Sequence, residues 1–79
     1  MMKYYQTVTT APTITYDEWI YYSGYDIDAA KAIRNAEKSH NDKNHTTEVR
    51  EYELPDDRRF EDLDDDGQAA VLSCYNVID

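Results

Sequence analysis

The sequence predicts an α+β domain: a three-stranded antiparallel sheet with two helices on one face, in the order β-β-α-β-α. Three observations carry this expectation. Two aromatic and β-branched runs open the chain, at 3–10 and 16–22. An alanine-rich stretch with helical spacing follows at 28–40. A third extended run at 46–54 then leads through an acid-rich connection to a last helical segment. At 79 residues the chain is expected to be a single domain, 1–79.

Each element has a local reason. Lys3 to Thr10 holds side chains that fit a pleated surface. Ala11-Pro12 ends it, because proline lacks an N–H and biases the preceding residue toward extended geometry. Tyr16 to Tyr22 reads as the second strand, and Ser23-Gly24 as the turn that closes it. Asp26 or Asp28 is the expected N-cap of a helix over Asp28 to His40. There Ile27, Ala30, Ile33 and Ala36 recur on one side, and Lys38 and His40 lie where the helix dipole favours cations. Asn41 to Asn44 is a polar loop, and Pro55 stops the third strand. The last helix is expected from about Asp65 to Tyr75, with Asp64, Asp65 and Asp66 at its anion-welcoming start.

Charge is distributed unevenly over this frame. Residues 48–79 carry eleven acids against three bases, whereas residues 1–47 carry six against five, so nearly all of the net −9 belongs to the C-terminal part. Folding presses like charges together at a cost in stability. A chain of this size buries only about 60% of the surface its unfolded form exposes, so it has little stability to spare. A cationic partner would give the acids a purpose, as would solubility alone. The same charge argues against anionic membranes and against direct nucleic-acid binding, which needs lysine and arginine to neutralise phosphates. No segment approaches the ~20 apolar residues of a membrane span, and the polar start Lys3-Tyr4-Tyr5-Gln6 lacks a signal-peptide core. The single cysteine, Cys74, excludes an internal disulfide and fits a reducing, cytoplasmic setting.

Eight tyrosines, one tryptophan and one phenylalanine argue that this acidic chain folds. Strand alternation puts Tyr4 and Tyr5, Trp19 and Ile20, and Tyr21 and Tyr22 on opposite faces in pairs. Two helices on one face would leave a tyrosine-rich second face, covered by loops, the 10–16 segment or a dimer partner, or open as a binding surface. In the third strand Tyr52 and Leu54 share a face with Arg50, and Val49 shares the other with Glu51 and Glu53, which a bulge would reconcile.

Motifs for chemistry are few. Asp62-Leu63-Asp64-Asp65-Asp66-Gly67 matches the opening of an EF-hand calcium loop, but the closing bidentate carboxylate falls on Ser73, so any calcium site here is expected to be weak. His40, His45 and Cys74 lack zinc spacing. The histidines read as solvated loop residues, and Cys74 as a small buried hydrophobe on the last helix. With only Gly24 and Gly67 there is no phosphate loop, and there is no nucleophile elbow. No catalytic residue, cofactor or metal ligand is assigned, and a binding protein is favoured over an enzyme.

The candidate binding residues are therefore the acids Glu51, Glu53, Asp56, Asp57, Glu61, Asp62, Asp64, Asp65 and Asp66, with Tyr5 and Tyr21 at their rim. Glu51 and Glu53 stand ~7 Å apart on one face of a strand. A DNA duplex presents one negative charge per ~1.7 Å of its axis. A folded ridge of carboxylates imitates part of that field and fits a basic groove.

The segments Tyr21-Tyr22-Ser23-Gly24-Tyr25-Asp26, Asp28-Ala29-Ala30-Lys31-Ala32 and Val49-Arg50-Glu51-Tyr52-Glu53-Leu54-Pro55 resemble, in kind, small acidic proteins encoded by bacteriophages and mobile elements, the anti-CRISPR proteins among them. That resemblance implies a non-enzymatic inhibitor in the host cytoplasm. Such a protein blocks the basic nucleic-acid-binding surface of a host nuclease or CRISPR effector. The other expectation is a small interaction module or homodimer that uses the tyrosine face, with the acids only solubilising it.

Overall fold

The computed structural model describes residues 2–11, 17–41 and 44–78. Its elements run β1 (Lys3–Ala11), β2 (Asp17–Gly24), α1 (Ile27–Lys38), β3 (Thr46–Glu53), two short 3-10 turns (Pro55–Asp57 and Phe60–Asp62), α2 (Asp65–Leu72) and β4 (Asn76–Val77). The α+β class is as expected, but the sheet has four antiparallel strands in the order β2-β1-β3-β4. Any cover of the second face by residues 12–16 lies outside the described residues.

β1 is central, with Thr7 opposite both Tyr22 of β2 and Val49 of β3. Its side chains alternate between two small cores. Tyr5 joins Ala30 and Val49 under α1, with Tyr22, Ile27 and Ile78 around them. Tyr4 joins Tyr52, Leu54 and Val71 on the other face, with Met2, Tyr25, Phe60 and Leu63 around them. The two helices therefore lie on opposite faces, not on one. Burial of successive residues in β1 demands this, since an uncovered face would leave either Tyr4 or Tyr5 in water.

The same division reconciles the mixed pattern of β3 without a bulge. Val49 faces α1 and Tyr52 faces α2, and β3 pairs with β1 in unbroken register from Thr46 to Glu53. The bulge is in β2 instead. Thr7 pairs with Tyr22 but Val8 with Ile20, leaving Tyr21 as the extra residue. Ser23 and Gly24 continue this strand opposite Gln6 and Tyr5 and do not form a turn. A Cβ at Gly24 would stand 2.6 Å from the Tyr22 hydroxyl, so the Tyr22 ring would have to move to accept one. That hydroxyl accepts the Asp26 N–H (3.1 Å) at the entrance to α1.

α1 begins at Asp26, whose Oδ1 accepts from the N–H groups of Asp28 (2.9 Å) and Ala29 (3.3 Å). Ala30 is fully buried, and its small side chain lets the helix approach closely enough for Thr7 Oγ1 to donate to the Ala30 carbonyl (2.7 Å). Ala36, placed on the apolar side by spacing, is exposed.

The expected long last helix stops at Leu72, capped at Ser73. Beyond it, Tyr75 packs on Tyr52 (centroids 5.5 Å apart) and the chain turns past the edge of β3. The Ile78 N–H then donates to the Val49 carbonyl (3.0 Å), and its side chain joins the core beneath α1. Cys74, expected to be buried on this helix, lies beyond it and is exposed.

Polar groups close the interior. Tyr52 Oη donates to Gln6 Oε1 (3.0 Å), and Arg50 pairs with Glu48 and Glu18, both at 2.8 Å, with its guanidinium 4.5 Å over the Tyr75 ring. Arg50 thereby ties β2, β3 and the C-terminal segment together. Burial opposes its charge, but the two carboxylates more than offset this and raise its pKa above the ordinary value.

Candidate partner-binding face

Most of the acids named by the sequence lie on the chain from the end of β3 to the first turn of α2. Alternate anchoring shapes this stretch. Leu54, Phe60, Leu63 and Val71 reach into the core around Tyr4 and Tyr52, while Asp56, Asp57, Glu61, Asp62, Asp64, Asp65 and Asp66 are exposed. Phe60 lies flat on Tyr4, with ring centroids 4.4 Å apart and planes within 6°.

Tyr25 is the main polar anchor. Its hydroxyl accepts the Phe60 N–H (2.8 Å) and donates to the Glu61 carboxylate. The Arg59 guanidinium stacks 4.9 Å from the same ring and pairs with Glu61 (2.8 Å). The Tyr25 hydroxyl, followed by the Glu61 backbone N–H and then Arg59, holds the Glu61 carboxyl down at about 2. Gln68 reaches back from α2, and its Nε2 donates to the carbonyls of Phe60 (3.2 Å) and Leu63 (3.1 Å). The segment is thus fixed by side chains on both flanks.

The turn after Pro55 requires left-handed backbone at two successive residues, Asp56 (φ 53°) and Asp57 (φ 54°). Aspartate tolerates this region better than most residues, so the local geometry accounts for part of the acid content. Asp64 has a structural task as well: its Oδ1 accepts the Gly67 N–H (2.7 Å) and caps α2.

The acids are not electrostatically equal. Lys3 binds Glu53 at 2.7 Å and approaches Glu51 at 3.7 Å, which lowers the Glu53 pKa. Glu61 is bound by Tyr25 and Arg59. Asp56, Asp62, Asp65 and Asp66 form no ion pair among the described residues, so they contribute the least-compensated negative field. The resemblance to a calcium loop does not extend to geometry: among the described residues no three His, Cys, Asp or Glu side chains converge to hold a metal.

Of the two tyrosines placed at the rim, Tyr5 is buried under α1 and is not available to a partner. Tyr21 is exposed, but its strand neighbours lie toward the other end of the sheet from Lys3 and Glu53. It joins Trp19 in lining a concavity beside α1. Alternation already puts Trp19 and Tyr21 on one face; sequence reasoning missed this concavity because the approach of Glu37, His40 and His45 to them is a tertiary contact. It also missed Tyr25, whose role depends on contacts with residues far along the chain.

In comparison with known proteins, no family model matches the sequence, no curated protein matches it, and no solved structure matches the fold. The functional reading rests on the chain's own residues.

Proposed function

We propose that this protein is a non-enzymatic binding protein that presents the carboxylates of 56–66 to a basic surface built for nucleic acid, in the manner of an anti-CRISPR-like inhibitor. One observation carries the reading. The acid-rich stretch is held by Tyr25, Phe60, Leu63 and Gln68 as part of the fold, with its carboxylates outward. A fixed array loses less entropy on binding than a mobile tail, and its field steers a cationic partner into place. The inhibition is steric and electrostatic, without turnover, and occurs in the host cytoplasm.

The test uses the carboxylates that lack both a pairing cation and a capping task. Asp62→Lys, Asp65→Lys and Asp66→Lys are combined, with Asp64 left intact so that α2 keeps its cap. Immobilised protein is exposed to host lysate at about 50 and about 500 mM salt, and captured material is challenged with duplex DNA. The expected outcome is a nucleic-acid-binding protein that is captured at low salt, released by DNA, and lost in the triple variant. Equal capture by the triple variant would remove the acidic face from the contact.

A further inference from the structure

We propose that the concavity between β2 and the C-terminal end of α1 receives an arginine side chain from a partner protein. It has a volume of about 260 Å³ and is lined by Trp19, Tyr21, Glu37, His40 and His45, together with Thr9 and Asn41. Trp19 and Tyr21 are 44% and 47% exposed, which is high for rings of their size. The His45 ring backs Trp19 at 6.1 Å.

The molecule itself shows what such an arrangement binds. Arg59 stacks on the Tyr25 ring while pairing with Glu61. Arg50 stacks on the Tyr75 ring while pairing with Glu48 and Glu18. In both, a guanidinium lies on an aromatic face with carboxylates at its edge, a combination of cation–π attraction and charge-assisted hydrogen bonding. The concavity supplies the same parts, two aromatic rings and the Glu37 carboxylate, and Glu37 has no ion pair among the described residues. Tryptophan is the strongest of the aromatic partners for a cation.

Two structural features point the same way. Glu37 lies in the last turn of α1 beside Lys38, where the helix dipole is negative and favours cations near its carboxylate. Trp19 and Tyr21 stand two apart on β2, and both rings line the concavity beside α1. The site lies by Thr9 and Thr47, at the opposite end of the sheet from Lys3 and Glu53, and does not depend on the acidic face.

Trp19 is the chain's single tryptophan, so its emission reports on this site directly. The intact protein is titrated with Nα-acetyl-arginine methylamide and with the citrulline analogue, which has the same shape and no charge. The expected result is a saturable change in emission with the arginine probe, about 5-fold or more tighter than with citrulline. Glu37→Gln should weaken arginine binding about 3-fold or more at an unchanged melting temperature. An equal response to both probes, an unchanged affinity in Glu37→Gln, or tighter binding of tetramethylammonium would each overturn the assignment. Since the probe is too small to span the sheet, failure here leaves the capture experiment on the acidic face independent.

Discussion

Tyr52 shows how much one side chain can decide in so small a core. It is 2% exposed, and its hydroxyl satisfies the buried Gln6 carbonyl oxygen. Tyr52→Phe leaves that oxygen without its donor and should cost about 1 kcal/mol, read from urea unfolding. A loss below the error of the measurement would mean that Gln6 finds another donor. Glu61 offers a second test at this scale. Its pKa is depressed from 4.5 to about 2, so its contribution to stability is complete above the ordinary carboxylate value and is lost as pH falls through the folded value. Carbon-detected NMR should place the Glu61 midpoint near 2, and Tyr25→Phe should move it up toward 4.5. A Glu61 midpoint indifferent to Tyr25 would contradict the anchoring role given to that hydroxyl.

The elements owe their ends to capping and their placement to packing. α2 has only eight residues, too few to be stable alone, and Val71 is its single buried side chain. Its Asp64 cap therefore matters: Asp64→Ala should cost about 1 kcal/mol and speed hydrogen exchange at the Gly67 amide. Unchanged exchange there would show that Gln68 and Val71 hold the helix without the cap. The α1 entrance is set by the Tyr22 ring over Gly24. Gly24→Ala displaces that hydroxyl from the Asp26 N–H and should destabilise by about 1–2 kcal/mol. Among the described elements, β4 is the weakest in sequence terms, two residues long, yet Tyr75 and Ile78 on either side of it engage opposite faces of the sheet.

At the scale of the molecule, net charge sets the balance. With −9 on 79 residues, self-repulsion opposes the compact state. Raising salt from about 0.1 to about 1 M shortens the Debye length from about 10 to about 3 Å, so the melting temperature should rise in sodium chloride. A fall would mean that the Lys3, Arg50 and Arg59 pairs outweigh the repulsion. The two proposed contacts lie at different ends of the sheet: the carboxylates follow β3 beyond Glu53, and the Trp19–Tyr21–Glu37 concavity lies near Thr9.

Local chemistry was sufficient to place β1, β3 and α1 within one or two residues, because β-branched runs, an aspartate cap and Pro55 act on their immediate neighbours. It also located the acids, since charge is written in composition. Tertiary structure decided the rest. Tyr4 and Tyr5 both had to be buried, and that requirement split the helices between two faces. Pairing with β1 imposed the bulge that turns Tyr22 onto the core under α1, and Tyr25 acquired its role only when residue 60 folded back onto it. Such outcomes depend on contacts between distant positions, whose energies no local pattern contains.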